Sequence, residues 1–223
     1  MANSYINTNK AKTELNTGYD YFLLLKPRVM SLAIFTALVG QILAYQSQKQ
    51  HIVLFIISLF SIALGAGAAG CINMWYEKDI DSLMERTKNR PLPREIIRSD
   101  DALCMGIVLS IISVVLLSLS ANYLSGILLA SSILFYVFVY TVWLKRKTVY
   151  NIVIGGAAGA LPPLIGWVSV SNEVSLFPIL LFSIIFIWTP PHFWALSLYT
   201  NEDYKKANIP MLPVVLGKSN PRT

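Results

Sequence analysis

Asn73, Glu77 and Asp81 stand four residues apart in the run N-M-W-Y-E-K-D-I-D. On an α-helix each step of four turns about 400°, so the three lie within about 80° of arc, stacked about 6 Å apart along the axis. One helical face then offers an amide and two carboxylates. Hard oxygen donors in that geometry suit Mg²⁺, which keeps several waters and bridges one or two carboxylates to a substrate phosphate. Asp79 points about 200° away from Glu77 and falls off that face. A solvated, charged helix end would carry the same residues. Against it, Asn73 lies inside an apolar stretch, where an unpaired amide is costly, and carboxylates four apart repel unless neutralised.

A second acidic group, Asn201, Glu202 and Asp203, follows the last apolar stretch and precedes Lys205 and Lys206. A polar loop after a membrane span often has this composition. Its interest is that both groups emerge at the same membrane boundary, among Lys and Arg that could hold phosphate oxygens. Together they describe a site for a magnesium diphosphate whose lipid tail lies in the bilayer. His192 lies about two turns inside an apolar stretch, so it is expected to face a bundle interior. It could move a proton or serve only as a hydrogen-bonded structural residue. Pro190 and Pro191 should kink that helix. Gly155 and Gly159 form a G-x-x-x-G step suited to close helix packing, and His51 is expected to do nothing.

These residues need helices that cross a bilayer. The chain has 223 residues, 55% hydrophobic and 13% charged, with mean hydropathy +0.56. A soluble domain carries roughly twice that charge. The apolar residues fall into six spans: Tyr21–Tyr45, Ile52–Met74, Leu103–Leu119, Tyr123–Leu144, Ile152–Val170 and Leu176–Leu198. Each is long enough to cross a ~30 Å core as an α-helix, and in lipid an open strand would leave its backbone unsatisfied. The expected fold is an all-α polytopic membrane protein. A polar N-terminal segment, 1–20, precedes the membrane domain, 21–199, and a polar tail, 200–223, follows it.

Of 18 Lys and Arg, all but Lys49 fall on one side of this six-span topology. Cytoplasmic loops collect Lys and Arg, so both termini are expected in the cytoplasm. The net charge of +6 follows from that bias and does not signal nucleic-acid binding. The first twenty residues lack the pattern of a secretory or transit peptide. Cys71 and Cys104 have no C-x-x-C or His partner and suggest neither a disulfide nor a thiolate metal site.

From Asn73 the chain reads N-M-W-Y-E-K-D-I-D-S-L-M-E-R-T-K-N-R-P-L-P. This resembles the first aspartate-rich motif of the UbiA-type intramembrane prenyltransferases, in the form of the protohaem IX farnesyltransferase (haem O synthase) branch. K-P-R-V at Lys26–Val29, the Lys145–Trp167 string, W-T-P-P-H-F-W at Trp188–Trp194 and the Asp203–Val215 string resemble it too. The resemblance implies transfer of a farnesyl group from farnesyl diphosphate to the 2-vinyl group of haem b, with water adding to give haem O for terminal oxidases. It implies a bacterial inner-membrane protein, with haem A synthase or the oxidase assembly as candidate partners. Haem b enters as substrate, not as a resident cofactor.

By the same resemblance Asn73, Glu77, Asp81 and Asp203 are expected to be catalytic. Mg²⁺ would be held by Asn73, Glu77 and Asp81, and a second ion by Glu202 and Asp203. Arg28, Arg86, Arg90, Lys145 and Arg146 are candidates for diphosphate contact, although each also serves the charge bias. Lys26, Asn151, His192 and Trp194 lie in matching strings and are expected at the substrate. The family usually has Asp where Glu77 stands. It also has nine spans, so six make an incomplete version of that bundle, and K-S-N-P-R-T after Gly217 leaves the pattern. The expectation is an interrupted frame or split gene whose product inserts but turns over weakly or not at all. Competing readings are a quinone- or chlorophyll-type prenyltransferase, which P-P-H-F-W disfavours, and a six-helix transporter subunit. A transporter would place its charges near the midplane, often in repeated halves.

Overall fold

A computed structural model describes residues 18–46, 48, 50–207, 209–210 and 212. Most of the polar N-terminal segment, the external Lys49 and the tail from residue 213 therefore lie outside the described residues. The described chain is helical and has no strand. A short helix α1, Gly18–Leu24, leads into the first span, α2, Pro27–Tyr45. Span two is α3, Ile52–Tyr76, followed by the short α4, Lys78–Leu83. Span three is α5, Ser99–Ser120, and span four is α6, Tyr123–Leu134, prolonged by a π-helix, Phe135–Leu144. Helices α7, Asn151–Ala160, and α8, Pro162–Ser171, make span five. Span six is α9, Leu176–Tyr199, and α10, Asn201–Lys206, closes the described chain. All six spans are long and apolar enough to cross a bilayer.

Two expected spans are interrupted. The first does not run through from Tyr21, because Pro27 disfavours helical geometry at the residue before it. Lys26 adopts a left-handed conformation with φ 52°, and α2 starts afresh with Pro27 in its first turn. Span five breaks at Leu161, where Pro162 has no N–H to continue the ladder. By contrast, α9 keeps its helical assignment through Pro190 and Pro191. His51 also gains a function. Its Nδ1 accepts the Val53 N–H at 3.3 Å and caps α3.

Helix α3 packs against α1, α2, α5, α6, the π-helix and α8. The backbones of α2 and α8 approach closely at two glycines. A Cβ added to Gly40 would lie 2.1 Å from the Pro163 carbonyl oxygen, and one added to Gly166 would lie 2.1 Å from that of Ala37. Gln41 crosses this seam in the interior, donating from Nε2 to Ser58 Oγ at 2.7 Å and to Ser169 Oγ at 3.1 Å. The Gly155–Gly159 pair does not act as one packing step. A Cβ on Gly155 would strike the Tyr140 ring, whereas Gly159 has open space. Gly156 instead brings α7 against Thr189 of α9.

Gly166→Ala should destabilise the bundle by about 1–3 kcal/mol, because two backbones must separate to admit one methyl. Gly159→Ala should cost nothing comparable. Thermal unfolding of the two purified variants in detergent checks this ordering.

Candidate active site

The acidic residues sit where α3 leaves the membrane. Helix α3 ends at Tyr76, Glu77 is the junction residue, and α4 begins at Lys78. The turn keeps its hydrogen bonds, however: Glu77 N–H donates to Asn73 O at 3.0 Å and Asp81 N–H to Glu77 O at 2.8 Å. The expected stack of Asn73, Glu77 and Asp81 therefore survives the break, and all three side chains are buried.

Each member meets a donor from another part of the chain. The Lys26 ammonium donates to Asn73 Oδ1. Asn73 Nδ2 donates to Thr141 Oγ1 at 2.9 Å. Lys145 Nζ lies 2.6 Å from each Glu77 oxygen, so one ammonium pairs with both ends of the carboxylate. Arg90 Nη1 donates to Asp81 Oδ2 at 2.6 Å. The loop that carries Arg90 is folded back by Thr87, whose hydroxyl donates to Asp81 O at 2.9 Å. Burial pushes the Glu77 carboxyl up, but the Lys145 and Lys26 charges outweigh it and hold Glu77 below the usual carboxylate range.

Asp79 lies outside the stack, as its angle predicts. It accepts two hydrogen bonds from Arg146, both at 2.8 Å, and these hold its carboxyl below the usual range. The Arg146 guanidinium also stands 5.1 Å from the centre of the Tyr76 ring. A cavity of about 640 Å³ opens on this outer side, with Tyr76, Lys78, Asp79, Glu95 and Arg146 on its walls.

The second acidic group is only partly recruited. Asp203 Oδ2 accepts the Arg86 N–H at 3.4 Å, which joins it to the first motif's loop. Ala207 and Ile209 pack with Ile80, Met84 and Ile152, and Asn151 Nδ2 donates to Pro210 O at 3.2 Å. Asn151 thus ties down the segment behind Asp203. Glu202 pairs with Lys205 on the surface. The expected five-residue Mg²⁺ set is therefore not assembled as a cage, and no three His, Cys, Asp or Glu among the described residues converge on one point. Their oxygens fit a hydrated Mg²⁺ that arrives with a diphosphate. The donor set is hard, an amide oxygen and carboxylate oxygens without sulfur or imidazole.

Among the basic candidates, Lys26, Arg90 and Lys145 enter the site and Arg146 stands one step out. Arg86 contributes its backbone, while its side chain and that of Arg28 are exposed. His192 does not join the acidic cluster. It stacks on Trp188, with ring centres 4.0 Å apart, on a helix whose neighbouring Trp188 and Phe193 are exposed. Trp194 Nε1 is buried without an acceptor. Thr141, Thr87 and Tyr140 escaped sequence reasoning. A hydroxyl inside the run F-Y-V-F-V-Y-T-V-W-L was the available signal for Thr141. Tyr140 places its ring centre 5.8 Å from Lys145 Nζ.

The UbiA prenyltransferase family matches residues 33–223. The chain belongs to that family and is an integral membrane protein. Among its relatives, protoheme IX farnesyltransferase of Rhodopseudomonas palustris (strain HaA2) is 57% identical over 203 residues, covering 91% of this chain and 64% of the relative. The protein of that name from Rickettsia bellii is 53% identical over 212 residues, with coverages of 95% and 70%. This chain thus spans about two thirds of the length of such relatives. A UbiA homolog from Archaeoglobus fulgidus bound to DMAPP and Mg²⁺ shares the fold at TM-score 0.75 and 19% identity, over 91% of this chain and 71% of that one.

Lys145→Met should leave the Glu77 carboxylate buried without its main counter-charge. Removing one partner of a buried pair costs about 3–5 kcal/mol. Lys145→Met with Glu77→Gln should recover part of that loss. Thermal unfolding of the single and double variants in detergent measures both.

Proposed function

We propose that this chain carries the donor site of a protohaem IX farnesyltransferase, moving a farnesyl group from farnesyl diphosphate to the 2-vinyl group of haem b. Relatives 53–57% identical carry that name. The observation that carries the reading is the buried stack itself. Lys26, Lys145 and Arg90 converge from three parts of the chain on oxygens at the end of an apolar bundle. A diphosphate can take over those three cations while its prenyl tail lies among the helices.

Lys26, Lys145 and Arg90 neutralise the charge that grows on the diphosphate as its bond to the allylic carbon breaks, the electron pair leaving with the phosphate oxygen. Bound through the oxygens of Asn73, Glu77, Asp81 and Asp203, Mg²⁺ would add Lewis-acid stabilisation of that leaving group. Tyr140 and the neighbouring Tyr136 offer ring faces to the allylic cation. The terminal vinyl carbon of haem b then bonds to the farnesyl carbon. Water adds at the inner vinyl carbon and loses a proton, giving the hydroxyethylfarnesyl side chain. Asn151 holds the segment behind Asp203.

The distribution of Lys and Arg supports a bacterial inner-membrane protein with the site on the cytoplasmic side. Residues 21–199 then form the membrane domain and 200–223 the second motif with its tail.

The test places residues 21–217 in the corresponding part of a full-length relative, expressed in cells without their own haem O synthase. Mass analysis of extracted haem should find haem O. Asp81→Ala should reduce it by at least about 100-fold, as expected for loss of charge stabilisation in a dry site. Haem b alone from a membrane-inserted chimera overturns the assignment.

A further inference from the structure

The π-helix Phe135–Leu144 gives Thr141 a bonding pattern that an α-helix would not. Its hydroxyl donates to the Tyr136 carbonyl, five residues back, at 2.9 Å. A threonine in an α-helix returns its hydroxyl to the carbonyl three or four residues back. With its single proton spent, Thr141 Oγ1 has only lone pairs to offer, and it accepts from Asn73 Nδ2 at 2.9 Å. On the other side of the amide, Lys26 Nζ donates to Asn73 Oδ1, and in its charged form it has no lone pair with which to accept. Turning the amide over would set NH₂ against NH₃⁺ and a carbonyl oxygen against a hydroxyl with no proton left. Both Asn73 and Thr141 are buried, so water does not offer an alternative partner.

We propose that Thr141 is a positioning residue: its hydroxyl, in the register set by the π-helix, locks the Asn73 amide so that Oδ1 faces the cations and the diphosphate site. The ligand half of this statement rests on the function proposed above. Thr141 touches no substrate and acts through Asn73. The π-helix is then part of the site, because a standard α-helical turn would return the hydroxyl to a different carbonyl and move it away from Asn73.

The test uses the purified 223-residue chain in detergent, with Mg²⁺ and farnesyl diphosphate as probe and no haem present, so that binding is read without turnover. Thr141→Val keeps the shape and removes the hydroxyl, and Thr141→Ser keeps the hydroxyl. Loss of a residue that orients a metal ligand typically weakens binding by about 10- to 100-fold. That range is expected for Thr141→Val, with near wild-type affinity for Thr141→Ser. In an Asn73→Ala background Thr141→Val should add nothing further. Wild-type affinity in Thr141→Val, equal weakness in Thr141→Ser, or additive losses with Asn73→Ala would each overturn the proposal.

A thermal-unfolding cycle of Thr141→Val and Asn73→Ala without ligand separates the two readings. A shared hydrogen bond makes the two losses less than additive. Additive losses reject the bond whatever the ligand does. Coupled losses in a chain that binds no farnesyl diphosphate reject the proposed function and the ligand half of this inference, while the bond stands.

Discussion

Burying carboxylates at the edge of a membrane is tolerable only when each finds a counter-charge. Glu77 meets Lys145, 68 residues away, and Asp81 meets Arg90 on the loop after α4, while Lys26 reaches the Asn73 amide oxygen from 47 residues away. An unpaired ion at this depth costs several kcal/mol. The pairs therefore dictate which segments meet at the end of α3: the turn before α2, the loop after α4 and the end of the π-helix. The same arrangement suits exchange. A diphosphate brings its own negative charge and can take the cations, releasing the carboxylates for a divalent metal.

Much of this was legible in the sequence because bilayer physics is severe. Runs of apolar residues long enough to cross can only be helices, and the ends of α3, α5, α9 and of α6 with its π-helical continuation fall within a few residues of the expected ones. The four-residue spacing of Asn73, Glu77 and Asp81 was readable because helical periodicity needs no tertiary information. The special position of Arg90, in R-T-x-x-R-P-L-P, was readable only through the family resemblance.

Other features had no local signature. Nothing in F-Y-V-F-V-Y-T-V-W-L announces a π-helix. Pairing by tertiary contact also decides which cations matter, so Arg28 and Lys26, two residues apart, end on opposite terms. His192 is half-buried and stands apart from the acidic cluster. An ionisable group inside a span suggests an interior position, yet stacking on Trp188 gives it an apolar surface on α9 itself. The G-x-x-x-G pair misled for a similar reason, because Tyr140 takes the space over Gly155 that a helix backbone was expected to fill.

The seam between α2 and α8 bears on how the protein is made. Gln41 and Ser169 are 128 residues apart. At a synthesis rate of about 5–20 residues per second, α2 waits roughly 6–26 s in the membrane before its partner emerges from the ribosome. During that interval the Gln41 amide has one early partner, Ser58 on α3, only 17 residues downstream. The first two spans can therefore shelter their own polar group as a hairpin, then open Gly40 and Ala37 to the arriving fifth span. Assembly order is written into that one interior amide.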